Sequence, residues 1–141
     1  MKPYPWKCGQ CRERLVYRET VPYSVDLDHA GRTHTISLAA LDVHRCRKCG
    51  AMSLDDGANR RITEALRREV GLLPPEEIRQ HRERLGLTQK ELARHLDLAE
   101  STLSRWETGA QIQQRSQDRL LRLFFELPEV RKHLGVSERV A

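Results

Sequence analysis

Along the first third of the chain, apolar and polar positions alternate. Val21, Tyr23, Val25 and Leu27 stand against Pro22, Ser24, Asp26 and Asp28. A period of two is that of a strand with one buried face, so the spacing predicts a strand from Thr20 to Asp28. His29-Ala30-Gly31-Arg32 reads as a turn. Thr33 to Leu38 and Leu41 to His44 read as two returning strands. Pro22 has no N–H to give to a ladder, which predicts an edge position for the first strand.

After Asp55-Asp56-Gly57 the period changes. Ile62, Leu66 and Val70 recur at helical spacing, predicting a helix over Ala58 to Val70. Gly71-Leu72-Leu73-Pro74-Pro75 breaks it. A helix from Pro75 to Leu85 follows, with Ile78 and Leu85 inward and Gly86 ending it. Thr88-Gln-Lys-Glu91 is a capping-box sequence that opens another helix, with Leu92, Ala93 and Leu96 inward. Asp97-Leu98 forms a short turn. A helix from Ala99 to Thr108 ends at Gly109. A further helix from Gln114 to Leu127 carries Leu120, Leu121, Leu123, Phe124 and Leu127, and Pro128 stops it. A last short helix takes in Val130 and Leu134.

The pattern divides the chain into a β-rich domain (1–57), a helical connector (58–74) and an all-helical domain (75–141). The fold class is therefore α+β. The 141 residues carry 38% apolar and 32% charged side chains, a polar composition that still supports a core. No apolar run is long enough to span a membrane. The first residues lead to no signal-like apolar stretch, so a cytoplasmic location is expected.

The net charge is +5. Residues 1–57 hold nine Lys/Arg against seven Asp/Glu, and the remainder hold sixteen against thirteen. Zinc held by four thiolates would bring about −2 to the first part, leaving the basic excess on the helical part. Such an excess fits a nucleic-acid partner.

All four cysteines fall in two pairs, Cys8-Gly-Gln-Cys11 and Cys46-Arg-Lys-Cys49, with 34 residues between them. Cysteines in a cytoplasmic chain rarely form disulfides. Two C-x2-C knuckles brought together by strands make one tetrahedral site, and four thiolates close it, so one structural Zn²⁺ is expected. Iron would fit the same ligands. Gly50 suits the tight turn that lets backbone amides reach sulfur. Lys7, Arg45, Arg47 and Lys48 would favour thiolates. His44 reads as a strand residue, because the four sulfurs complete the site. Metal would supply much of the folding energy of a domain with so few large apolar residues. A redox C-x-x-C would need a thioredoxin-like βαβ context, which the pattern lacks.

Residues Leu87 to Gly109 predict two short helices joined by a turn, the geometry of DNA-reading helix pairs. Ser101 and Arg105 lie four apart on one face of the second helix, flanked by Thr102 and Ser104. Arg105 can pair with guanine O6/N7, and Ser101 or Thr102 can reach base edges or phosphate. Gln89 and Lys90 open the first helix, where phosphate binds. Trp106 is expected in the core beside Leu103. The competing reading is a helical bundle with a solvated polar face. RNA binding would need an exposed aromatic platform, which the scattered aromatics do not suggest. No hydrolytic constellation is evident: His29, His34 and Asp42 are dispersed. The chain is not expected to be an enzyme.

Several segments together resemble the MqsA (YgiT-type zinc finger) antitoxin family. They are Cys8/Cys11, Cys46-Arg-Lys-Cys-Gly50, Arg61-Ile-Thr-Glu-Ala-Leu66, Leu87-Thr-Gln-Lys-Glu-Leu-Ala93 and Ser101-Thr-Leu-Ser-Arg-Trp-Glu-Thr-Gly109. The family joins a Cys₄ zinc domain to an Xre/Cro-like (lambda-repressor-like) helix-turn-helix, and the likeness spans nearly the whole chain. It implies a homodimer formed through the C-terminal domain. It also implies binding to a palindromic operator in double-stranded DNA, often the protein's own promoter, and a ribonuclease toxin held by the zinc domain. The family's base-reading positions fall on Ser101 and Arg105. Ser101 stands in place of an asparagine used there, Asp97 in place of a turn glycine, and Ala99 in place of a capping serine. The alternatives are a zinc-finger regulator without a toxin and a Cys₄ redox protein.

Overall fold

A computed structural model describes residues 2–137. The element order is β1 (Val16–His29), β2 (Arg32–Cys46), β3 (Met52–Ser53), α1 (Asp56–Val70), α2 (Pro75–Arg84), α3 (Gln89–His95), α4 (Glu100–Thr108), α5 (Arg115–Glu126) and α6 (Pro128–His133). The architecture is α+β: one antiparallel sheet followed by helices. Among the described residues it forms two compact units, one holding residues 2–28 and 32–69, the other holding residues 29–31 and 70–137. Among the described residues, no helix is long and apolar enough to cross a membrane.

The sheet order is β1-β2-β3, so Pro22 does lie in an edge strand. Ala30 (φ 51°) and Gly31 (φ 79°) form the two-residue β1–β2 turn. Positive φ at both positions matches the right-handed twist of a hairpin. Polar side chains pair across the exposed face: Thr33 donates to Asp28, Thr35 to Asp26, and Ser24 meets Ser37.

The two predicted returning strands are one. In β2 the shielded positions are His34, Ile36 and Leu38, then Leu41 and Val43, with Ala39 and Ala40 exposed between them. The inward parity switches from even to odd, as one extra residue in a strand makes it do. A broken alternation had read as a broken strand, whereas the ladder continues through the irregularity. Leu41 and Val43 pack with Ala58 and Ile62 of α1, joined by Val21, Tyr23, Val25, Leu27, Leu38 and Leu54. The predicted connector helix therefore covers the sheet. Asp55 caps it, its Oδ1 accepting from the Ala58 N–H at 2.8 Å.

The helical unit is built around Ile78, Leu92, Leu103, Trp106, Leu121 and Phe124. Thr88 and Glu91 form the predicted capping box. Gly109 ends α4 in the left-handed conformation (φ 84°). Asp97 takes φ 57° in the α3–α4 turn, a conformation Asp tolerates better than most residues. Leu123 and Leu127, part of the apolar pattern of this helix, are 46% and 41% exposed. The apolar stripe of α5 is wider than the core it faces.

Buried polar groups tie this unit together. Asp118, on α5, accepts from the Leu73 N–H (2.8 Å) and from Gln113 Nε2 (3.2 Å). Arg122 Nε donates to its other oxygen at 2.8 Å. The chain entering the helical unit is thus pinned to α5.

Candidate functional site

Each cysteine pair sits at the tip of a hairpin. The first tip is closed by reciprocal backbone bonds between Trp6 and Val16 (3.0 and 3.1 Å) and by Cys8 N–H to Glu13 C=O (2.8 Å). The second lies between β2 and β3, where His44 faces Ser53 and Arg45 faces Met52. Arg47 N–H donates to Leu15 C=O at 2.9 Å and joins the tips. The two knuckles share one local design. Arg12 N–H returns to Cys8 C=O, and Gly50 N–H to Cys46 C=O, both at 3.0 Å. The residue after each second cysteine is left-handed, Arg12 at φ 70° and Gly50 at φ 77°.

The four Sγ atoms lie within 4.8 Å of one another. Cys8–Cys49 and Cys11–Cys46 are 3.6 Å apart, far beyond a disulfide bond. Ligands about 2.3 Å from a tetrahedral zinc are spaced at about 3.8 Å. Cys8, Cys11, Cys46 and Cys49 thus form a site for one metal ion, with the ligand set of structural zinc. Cys8 and Cys46 are buried and Cys49 is exposed.

Backbone amides prepare the sulfurs. Hydrogen bonds from the Cys11 and Gln10 N–H groups lower the Cys8 thiol to about 6. Those from Cys49 and Lys48 lower Cys46. Cys11 accepts from Glu13 N–H, yet burial and the neighbouring thiols raise it to about 11. The basic side chains Lys7, Arg45, Arg47 and Lys48 are not the main cause. Arg45 and Lys48 instead face Glu19 and Glu13, and Arg47 lies 3.7 Å over the Tyr17 ring.

His44 is held away from the sulfurs. Its Nδ1 meets the Tyr4 hydroxyl at 2.7 Å and its Nε2 meets Asp55 at 3.3 Å. Its ring packs 4.3 Å from Trp6, which stacks on Tyr4 at 4.8 Å. Tyr17 joins at 6.4 Å from Tyr4. Sequence reading missed this aromatic group because its members come from residues 4 to 44. The available signal was local: Tyr4 and Trp6 flank Pro5, and His44 lies one strand repeat from Cys46.

In the helical unit, α3 and α4 meet across a turn closed by Leu98 N–H to Ala93 C=O at 2.8 Å. Leu103 and Trp106 are buried. Ser101 and Arg105 lie on the opposite, exposed face, with Thr102 and Ser104 half-buried beside it. Lys90 is exposed. Gln89 gives one Nε2 hydrogen to Glu107 Oε1 at 3.2 Å, which orients the start of α3. Its carbonyl and second N–H have no bond among the described contacts. Ala99 precedes α4 without a side-chain cap.

Sequence comparison covers both regions at once. A family model for MqsA, the antitoxin component of a bacterial toxin–antitoxin system, matches residues 6–135. No curated protein matches the chain.

Proposed function

The chain belongs to the family of MqsA antitoxins, and from that premise we propose that it is a dimeric repressor of its own promoter that neutralises an mRNA-cleaving ribonuclease toxin. The observation that carries this reading is the extent of the match: residues 6–135 take in the whole Cys₄ site and the whole α3–α4 pair.

The two units suit two tasks. The helix pair α3–α4 acts as the helix-turn-helix. Arg105 reads guanine from the exposed face of α4, and Ser101, Thr102 and Ser104 reach adjacent edges or phosphates. Gln89 and Lys90 anchor the backbone. Operator palindromy follows from a homodimer of these units. The exposed Leu123 and Leu127 offer an apolar contact for the second copy. The zinc unit is the rigid clamp on the toxin. Zinc closed by four thiolates leaves no coordination position for a substrate, so the ion holds shape and no reaction is assigned to it. The protein works in the cytoplasm, where the toxin and promoter are.

The test is a tagged pull-down from the native host, paired with titration of the chain's upstream DNA. A small ribonuclease that co-purifies with wild type and is lost with Cys46→Ser, together with two-fold symmetric protection of the promoter, is the expected result. A dimer that protects the promoter without any protein partner would leave a toxin-independent regulator.

A further inference from the structure

A second surface of the zinc unit has its own chemistry. Beside the knuckle lies a cleft of about 510 Å³ lined by Lys2, Pro3, Trp6, Lys7 and Arg14. Three of the five are cations and none is acidic. Among the described residues, no ion pair is formed by Lys2 or Lys7, whereas Arg18, Arg45 and Lys48 are matched to Asp42, Glu19 and Glu13. Arg14 donates one Nη2 hydrogen to Pro5 C=O at 3.2 Å, which steadies it and leaves other donors of its fork available.

The wall of the cleft is an indole that cannot turn away. Trp6 Nε1 donates to Lys2 C=O at 2.9 Å. Tyr4 and His44 pack on its ring, and Tyr4 and Asp55 in turn hold His44. The same indole also walls a smaller cleft of about 240 Å³ on the knuckle side, with Lys7, Cys8 and His44. It is therefore a partly exposed, pre-oriented aromatic plate between two depressions.

We infer that this cleft binds single-stranded nucleic acid, with an unpaired base stacked on Trp6 and flanking phosphates held by Lys2, Lys7 and Arg14. Its volume takes a nucleotide. A fixed ring supplies stacking without further loss of side-chain freedom, and stacking accepts any base. The unmatched cations supply the backbone attraction. A paired base offers no free face, so duplex cannot use the plate. An acidic peptide would engage the cations and leave the ring idle. The inference does not rest on the antitoxin reading.

The test titrates the zinc-loaded full chain with oligo-uridine of about eight nucleotides, a length within known single-strand site sizes. Indole fluorescence and oligonucleotide anisotropy are followed together. Trp106 is only 1% exposed, so contact quenching reports Trp6. Expected are saturable quenching and a fall of log K with log salt of slope about −2 for three phosphate contacts. Trp6→Leu should abolish quenching and weaken binding by a factor of about 5 to 150. Lys2→Glu with Lys7→Glu, both on exposed side chains, should weaken it at least about tenfold through the same phosphate contacts, with zinc content unchanged. Arg105→Ala should leave it unaltered. Absence of quenching would overturn the inference. So would equal quenching by duplex or by polyglutamate, or binding that survives the paired Lys→Glu changes.

Discussion

Arg82 and Glu107 face each other through two parallel bonds, Nε to Oε2 and Nη2 to Oε1, each 2.9 Å long. The pair joins α2 to α4 inside the helical unit. Arg82 also donates to Leu87 C=O at 2.8 Å, and Gln89 donates to Glu107. One ion pair thus fixes the approach to α3, its first residue and the back of α4. The Glu107 side chain is 2% exposed and that of Arg82 11%. Hydrogen bonding to Glu107 raises the Arg82 pKa further.

Removing one partner leaves a buried charge. Arg82→Ala should destabilise the helical unit by about 3 kcal/mol, read as a lower unfolding midpoint in urea. Arg82→Lys should recover only part, because an ammonium cannot make both bonds of the fork. Full stability in Arg82→Ala would show that the pair contributes little to holding α2 on α4.

Metal removal should act on one end of the zinc unit first. Cys8 and Cys46, with Cys11 against them, form a small cluster with Val16, apart from the Leu41–Val43–Ala58–Ile62 core. Cys46→Ser, or a chelator, should abolish stoichiometric zinc and expose the amides of Cys8, Arg12 and Gly50 to hydrogen exchange. Protection in the helical unit should persist. Uniform loss across both units would contradict the two-unit description.

On operator DNA, Arg105→Ala should cost about 1–3 kcal/mol and relax preference at one base pair. Lys90→Ala should weaken all sequences alike and reduce the salt slope by about one. Equal operator affinity for wild type and Arg105→Ala would remove Arg105 from base reading.

Asp55 makes a pH-dependent contribution. The Ala58 N–H bond first, and then His44 and the Gly57 N–H, hold its carboxyl below the usual range. A depressed folded pKa means that the stabilisation is present above about pH 4, the unfolded value. It is lost as pH falls through the folded value. Asp55→Asn should therefore lower the melting temperature near neutrality, and the gap to wild type should close under acid. A gap that widens on acidification would refute the assignment.

The start of α4 can be improved. Ala99 has extended φ/ψ (−69°, 139°) but no capping oxygen. Ala99→Ser should stabilise the helical unit by about 1 kcal/mol, measured by urea denaturation. A neutral effect would mean that water or DNA-facing geometry already satisfies those amides.

Local patterns in the sequence determined much of this protein. Period-two and period-3.6 spacing set the hairpin and the helices. Thr88 with Glu91, and Gly109, marked helix ends through contacts only three or four residues long. The doubled C-x2-C spacing identified the metal ligands, because four sulfurs must converge on one ion. Only tertiary structure decided the rest, since those relations join residues distant in sequence. The bulge at Ala39–Ala40 keeps β2 whole because β1 continues to pair beside it. The partner of Arg82 lies 25 residues away, and that of Leu73 lies 45 away. Tyr4, Trp6 and His44 become one plate only when the first knuckle folds against the end of β2. Leu123 and Leu127 fit the helical pattern, yet the core is already filled by Leu121 and Phe124, so packing volume leaves them outside.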